Sequence, residues 1–254
     1  MAGLLYLARP PTTPRGRDAT MSQHAELLPL EHHDRTEFQL ERLILFTDAV
    51  FAIAITLLII EIKVPELHHA TDRAALSALL RLTPKFVGFF IGFFVIAIYW
   101  TAHHRIFRFL HRYDGRLIWL NILFLLSIVL MPFTSAYYSE YVNGVNVPFV
   151  VYCLSVSTTG LMQVLLQRYL RNPAHGLIDP RDAHHPDLDI VRPMVAPLAF
   201  VIGILLTFVA PWWVSRFAPM LIWPLMTLYG RRYRRLTRAY AAAQQPQEPE
   251  PVAA

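Results

Sequence analysis

One ionisable group sits where it is expensive. Asp48 lies near one end of residues 42–61, a run otherwise made almost wholly of Leu, Ile, Phe, Ala and Val, with Thr47 beside it and Thr56 further along. A carboxylate at the edge of a hydrocarbon span costs free energy and is retained where it holds helices together or meets a transported species. Both readings stand for Asp48 on chemistry alone.

At about 100° per residue on a helix, Ile53, Thr56, Leu57 and Ile60 fall at i, i+3, i+4 and i+7 and form one stripe. Phe46 extends that stripe, and Arg42 returns to within about 20° of it. Asp48 points about 140° away from Ile53. The helix therefore has two sides, an aliphatic stripe carrying one hydroxyl and an acidic group aimed elsewhere. Periodicity alone favours ordinary packing for this stripe over a pore wall.

Asp48 and Arg42 are too far round the helix to form an i,i+4 pair, so Asp48 must find partners on other helices. His103, at the end of the second apolar run, and Asn121, near the start of the third, lie at comparable depth. A hydrogen-bonded cluster of Asp48, Thr47, His103 and Asn121 would satisfy all four groups. The paired histidines 32–33, 68–69, 103–104 and 184–185 point to different sides of any helix, so they imply no metal site, and no cofactor is implied. Cys153 is the only cysteine, which rules out an internal disulfide and a cysteine-based metal cluster.

The elements that must carry these residues follow from composition. Hydrophobic residues make up 55% of the chain and charged ones only 16%, which places it among integral membrane proteins. Six spans are expected, at about 43–62, 84–104, 117–138, 147–168, 194–213 and 217–236, each near the ~20 residues a helix needs to cross a ~30 Å core. The last is the weakest, because its apolar part ends near Tyr229. Pro132 and Pro197 read as kinks within spans.

Eighteen of the twenty-three Lys and Arg residues fall in the N-terminal segment, the 103–116 and 168–192 loops and the C-terminal segment. That bias predicts both termini in the cytoplasm and an even number of spans. The net charge of +5 is spread along these loops, and no basic face for nucleic acid is expected. The expected organisation is a disordered tail at 1–36, a membrane domain at 37–238 and a second disordered tail at 239–254.

The order Arg42, Phe46-Thr47-Asp48, an aliphatic stretch through Leu58, Glu61 and Val64-Pro65 resembles the first-helix signature of the bacterial branch of the transmembrane protein 175 potassium-channel family. The likeness continues through Trp100, His103, Arg105 and Phe107, then Trp119-Leu120-Asn121 and Met131-Pro132-Phe133. It covers most of residues 38–135. Thr47 stands where serine is usual, which keeps the hydroxyl, and Ala49 replaces a common glycine.

The resemblance implies an all-α, six-helix subunit, four copies of which surround a pore lined by the first helix, in the inner (plasma) membrane. Ile53 would be the main constriction, Leu57 and Ile60 further layers, and Thr56 a hydroxyl layer. Arg42, Phe46, Thr47, Asp48, His103 and Asn121 would form the signature and the polar network between helices. The partners implied are potassium ions, membrane lipid and three further copies of the chain, and no enzymatic activity is implied. The rival reading is a proton-coupled secondary transporter with Asp48 and His103 as relay. It lacks the paired repeats and discontinuous helices usual in transporters.

Overall fold

The computed structural model describes residues 18–67, 69–142 and 144–244, and every regular element among them is a helix. The chain divides into two units, Met1–Gln39 and Leu40–Ala254. The first holds the beginning of helix α1 (Asp18–Ile60), so helix starts inside the stretch expected as a tail at 1–36. Residues 1–17 of that expected tail, and 245–254 of the C-terminal one, lie outside the described residues.

The second unit carries the membrane helices. Five described segments are long and apolar enough to cross a bilayer: Glu37–Ile60, Thr83–Phe107, Gly115–Glu140, Asn146–Arg171 and Pro186–Val209. The first is the membrane part of α1. The short helix α2 (Asp72–Arg81) precedes α3 (Thr83–Phe107) and starts at Thr71, whose side chain accepts from the Ala74 backbone N–H.

The third span is split into α4 (Gly115–Val129) and α5 (Met131–Glu140), with Leu130 between them still in right-handed helical conformation. Pro132 lies in the first turn of α5. Its missing N–H and its ring oppose an unbroken ladder there, which is why one span becomes two helices in line. Pro197, by contrast, stays inside the helix that contains it.

Helix α6 (Asn146–Arg171) packs against α3, α4, α5 and the fifth span, α7 (Val191–Val209). The closest approach is at Gly160, where a Cβ would lie 2.1 Å from the Pro197 ring and 2.9 Å from the Tyr99 hydroxyl. Only glycine lets the two backbones meet there. Tyr99 Oη donates to the Val156 carbonyl at 2.9 Å, which fixes the register of α3 against α6.

Two apolar clusters follow. One joins Phe51, Ala54 and Leu58 of α1 to Ile96, Phe124, Ile128, Phe149 and Val156. The other lies at the opposite end of α3, where Phe107, Leu117, Leu166 and Leu170 are covered by Leu177, Ile178 and Leu188 of the α6–α7 loop. Asp114 caps α4 there, accepting from the Leu117 N–H at 2.7 Å and from the Tyr169 hydroxyl.

The expected sixth span at 217–236 is not one continuous helix. After α7 the chain forms α8 (Trp212–Arg216), a 3-10 turn at Ala218–Leu221, and α9 (Ile222–Gln244). Ala218 packs against Gly203, where an added Cβ would meet the Ala218 Cβ at 3.2 Å. Gly203 lies six residues, or about 9 Å, inside the end of α7. Helix α9 thus starts part-way along α7 and runs back to the α6–α7 loop. There Arg232 Nε donates to Asp189 at 2.8 Å and Tyr233 Oη to Asp187 at 3.0 Å. The return is made in two pieces because Pro211 and Pro219 interrupt the helix and the four arginines from Arg231 to Arg235 shorten its apolar part.

Candidate functional site

Within the membrane part of α1 the buried and bare faces are opposite. Thr47, Phe51, Ala54 and Leu58 are buried against α3 and α4. Their spacing of four, three and four residues keeps them within about 60° of one another. Ile53 is 59% exposed, Leu57 38% and Ile60 68%, and Thr56 is exposed with them. The centre of this stripe lies about 140° round the helix from the centre of the buried face.

The subunit thus leaves four residues of an apolar helix uncovered along one line. The Thr56 hydroxyl donates back to the Ile53 carbonyl at 2.8 Å, so its oxygen keeps lone pairs free to accept along the stripe. Phe46, 53% exposed, lies on the same side, and Arg42 is exposed beyond it.

The buried face is fastened by a polar chain. Asn121 Nδ2 donates to Thr47 Oγ1 at 2.9 Å, and Thr47 Oγ1 donates to the Leu43 carbonyl at 2.9 Å. His103 Nε2 lies 2.8 Å from Asn121 Oδ1. The Asn121 oxygen can only accept, so His103 carries its proton on Nε2 in this arrangement. Each bond therefore has one donor and one acceptor, running from α3 through α4 into α1. Thr47, His103 and Asn121 are all buried. The imidazole is held between Phe107, centroids 3.9 Å apart, and Phe124, at 5.4 Å.

Asp48 does not join this chain. Its Oδ1 accepts from the Trp100 indole N–H at 2.8 Å. Consecutive residues diverge by about 100° on a helix, so with Thr47 turned into the bundle Asp48 faces the flank of α3. The structure brings Thr47, His103 and Asn121 together and assigns Asp48 a separate partner, which the sequence reading had not named. Trp100 and Asp48 belong to runs that end on the same side, and that shared depth was the available signal. Two further buried polar residues went unnoticed in sequence: Gln163 and Gln167 on α6, four residues apart and 0% and 2% exposed. Among the described residues no three His, Cys, Asp or Glu side chains converge as metal ligands would.

The fold and this helix define a class: a multi-pass helical membrane protein whose first span is pinned by a polar ladder on one face and bare on the other. A family model described as the endosomal/lysosomal potassium channel TMEM175 matches residues 42–132. That range runs from Arg42 through the polar ladder to Pro132.

A potassium channel of Chamaesiphon minutus is 32% identical over 170 residues, spanning 66% of this chain and 83% of that protein. A potassium channel of Streptomyces collinus is 35% identical over 170 residues, spanning 65% and 81%. The crystal structure of a lysosomal potassium-selective channel TMEM175 homolog from Chamaesiphon minutus superimposes with a TM-score of 0.61 at 27% identity, covering 74% of this chain and 97% of that one. The chain belongs to the TMEM175 family, and the relatives it matches over most of their length are bacterial.

Proposed function

We propose that four copies of this chain surround a central potassium-permeable pore lined by α1. The observation that carries this reading is the stripe of Ile53, Thr56, Leu57 and Ile60, left bare on a helix whose other face is pinned to its own subunit. Four such stripes around an axis supply each other with cover. The relatives named as potassium channels support the ion. The family is one of ion channels, with no enzyme among the relatives described above.

In this arrangement Ile53 forms the main constriction, with Leu57 and Ile60 as further layers. Rings of aliphatic side chains offer no ligand to replace an ion's hydration shell and gate by dewetting. The Thr56 hydroxyls, about 4.5 Å along the axis from Ile53, hold water or a partly hydrated ion beside that ring. The polar ladder keeps the wall in place and takes no part in conduction. The two-piece return through α8 and α9 completes a sixth crossing, which puts both termini on the cytoplasmic side, in the plasma membrane. The transporter reading loses its relay, because Asp48 and His103 are bonded to different partners.

The test is the purified protein in planar bilayers. Ile53→Asn should change unitary conductance or the potassium-over-sodium permeability ratio, and the detergent-solubilised protein should contain four subunits. Unchanged currents would remove Ile53 from the pore, and any other subunit number would end the tetrameric arrangement.

A further inference from the structure

A cavity of about 390 Å³ lies between α3, α6, α7 and α9, on elements away from the stripe of α1. It is chemically two-ended. Val95, Ile98, Val156, Phe200, Ile222 and Met226 line the apolar end. Arg105, Gln163, Gln167, Asp187 and Arg192 line the other.

The depth of the polar end follows from register. The Tyr99–Val156 bond sets α3 level with α6. Arg105 is six residues beyond Tyr99 and Gln163 seven beyond Val156, about 9 and 10.5 Å along parallel helices. Both therefore lie on the α6–α7 loop side of the Tyr99–Val156 level, as Arg192 does at the start of α7. The apolar end reaches toward the middle of the membrane. Ile98 is both a lining residue and 65% exposed, so the cavity opens sideways along α3.

Two features of the polar end call for a ligand. Both amide atoms of Gln163 and the Nε2 of Gln167 are buried without a hydrogen-bond partner among the described residues. A buried amide left so is costly. The charge is also unbalanced. Asp187, the carboxylate on this lining, is shared among Arg108, the Tyr233 hydroxyl and the charge of Arg105, so a single anion offsets the Arg105 and Arg192 guanidiniums and the polar end stays net cationic.

We propose that this cavity binds one anionic phospholipid from the leaflet on the α6–α7 loop side. One acyl chain fills the apolar end, the phosphate meets Arg105 and Arg192, and the ester carbonyls accept from the amides of Gln163 and Gln167. Guanidinium forks suit phosphate oxygens, and the cavity's polar residues lie on the loop side with its apolar residues toward the middle of the membrane, as the headgroup region and the chain of a lipid do.

The test uses the purified full-length protein in detergent, titrated with phosphatidylglycerol or with phosphatidylcholine of the same acyl chains and read by native mass spectrometry. Each basic side chain near a membrane surface contributes about 1 kcal/mol toward anionic lipid, so two predict a preference of about thirtyfold for phosphatidylglycerol, at one lipid per subunit. Arg105→Gln/Arg192→Gln should erase the preference, while Arg231→Gln, outside the cavity, should leave it. Equal binding of the two lipids by the unaltered protein overturns the proposal without recourse to any variant. So does a preference that survives the double substitution. Displacement of phosphatidylglycerol by millimolar inorganic phosphate would show a site for the free anion and overturn the lipid assignment.

Discussion

Replacing Asn121 by leucine tests the ladder that pins α1. The side chain is fully buried and makes two bonds, at 2.8 Å to His103 and 2.9 Å to Thr47. Leucine fills similar space and supplies neither. Side-chain bonds between membrane helices average about 0.6 kcal/mol each. The stranded His103 N–H, held between aromatic rings, adds about 1–3 kcal/mol. Together these give a loss of about 2–4 kcal/mol, or roughly 4–16 °C in melting temperature for a chain of this size.

Thermal unfolding of the purified protein, followed by tryptophan fluorescence, measures it. Thr47→Val strands the Asn121 N–H in its turn and should cost about 1–2 kcal/mol. In the double variant there is no such group left to strand, so its cost should fall short of the sum by about 1–2 kcal/mol. Melting of Asn121→Leu within about 1 °C of the parent, or additive costs in the cycle, would refute the ladder as a fastening.

Gly160→Ala should lower stability by about 1–3 kcal/mol, because the rigid Pro197 ring would lie 2.1 Å from the new methyl; a melting temperature unchanged from the parent would show that α6 and α7 part freely. Asp114→Ala should cost about 1 kcal/mol at neutral pH through loss of the α4 cap. Burial pushes the Asp114 carboxyl up, but bonds from the Tyr169 hydroxyl and the Leu117 N–H prevail and hold it below the ordinary carboxylate range. With the folded value depressed, that stabilisation is complete above the unfolded aspartate pKa of about 3.9 and is lost as pH falls through the folded value. Melts from pH 7 downward should therefore keep a constant gap between parent and variant until about pH 4 and close it below. A gap that closed between pH 7 and pH 5 would assign the effect to another group.

Helical angle and hydropathy made most of the first helix legible. Ile53, Thr56, Leu57 and Ile60 share a direction by spacing alone, and the structure leaves that direction uncovered. The same arithmetic, applied to Thr47 and Asp48, would have separated them: neighbours 100° apart cannot both turn into one cluster. Trp100 entered the sequence reading through the family resemblance, and its indole N–H as a donor to Asp48 was overlooked. The division of the third span at Leu130 was visible in Pro132. The path of the chain after α7 was not, since it depends on where Ala218 meets Gly203 and on Arg232 reaching Asp189. Those contacts are distant in sequence and leave no periodic trace.

A sixth crossing through α8 and α9, as proposed above, would bear on how the protein is made. A translocon commits a segment to the bilayer on the strength of its own hydrophobicity, and the stretch from Pro211 to Tyr233 is short of apolar length, broken by a turn and studded with arginine. Its insertion must then wait for its hairpin partner. The contacts available to hold it are Ala218 on Gly203 and the bonds from Arg232 and Tyr233 to the loop aspartates. On that reading the orientation of the C-terminus would be decided by tertiary contacts and not by the hydrophobicity of the segment alone. Shortening the chain before Arg232 would leave a nascent hairpin with nothing to hold its second strand in the membrane.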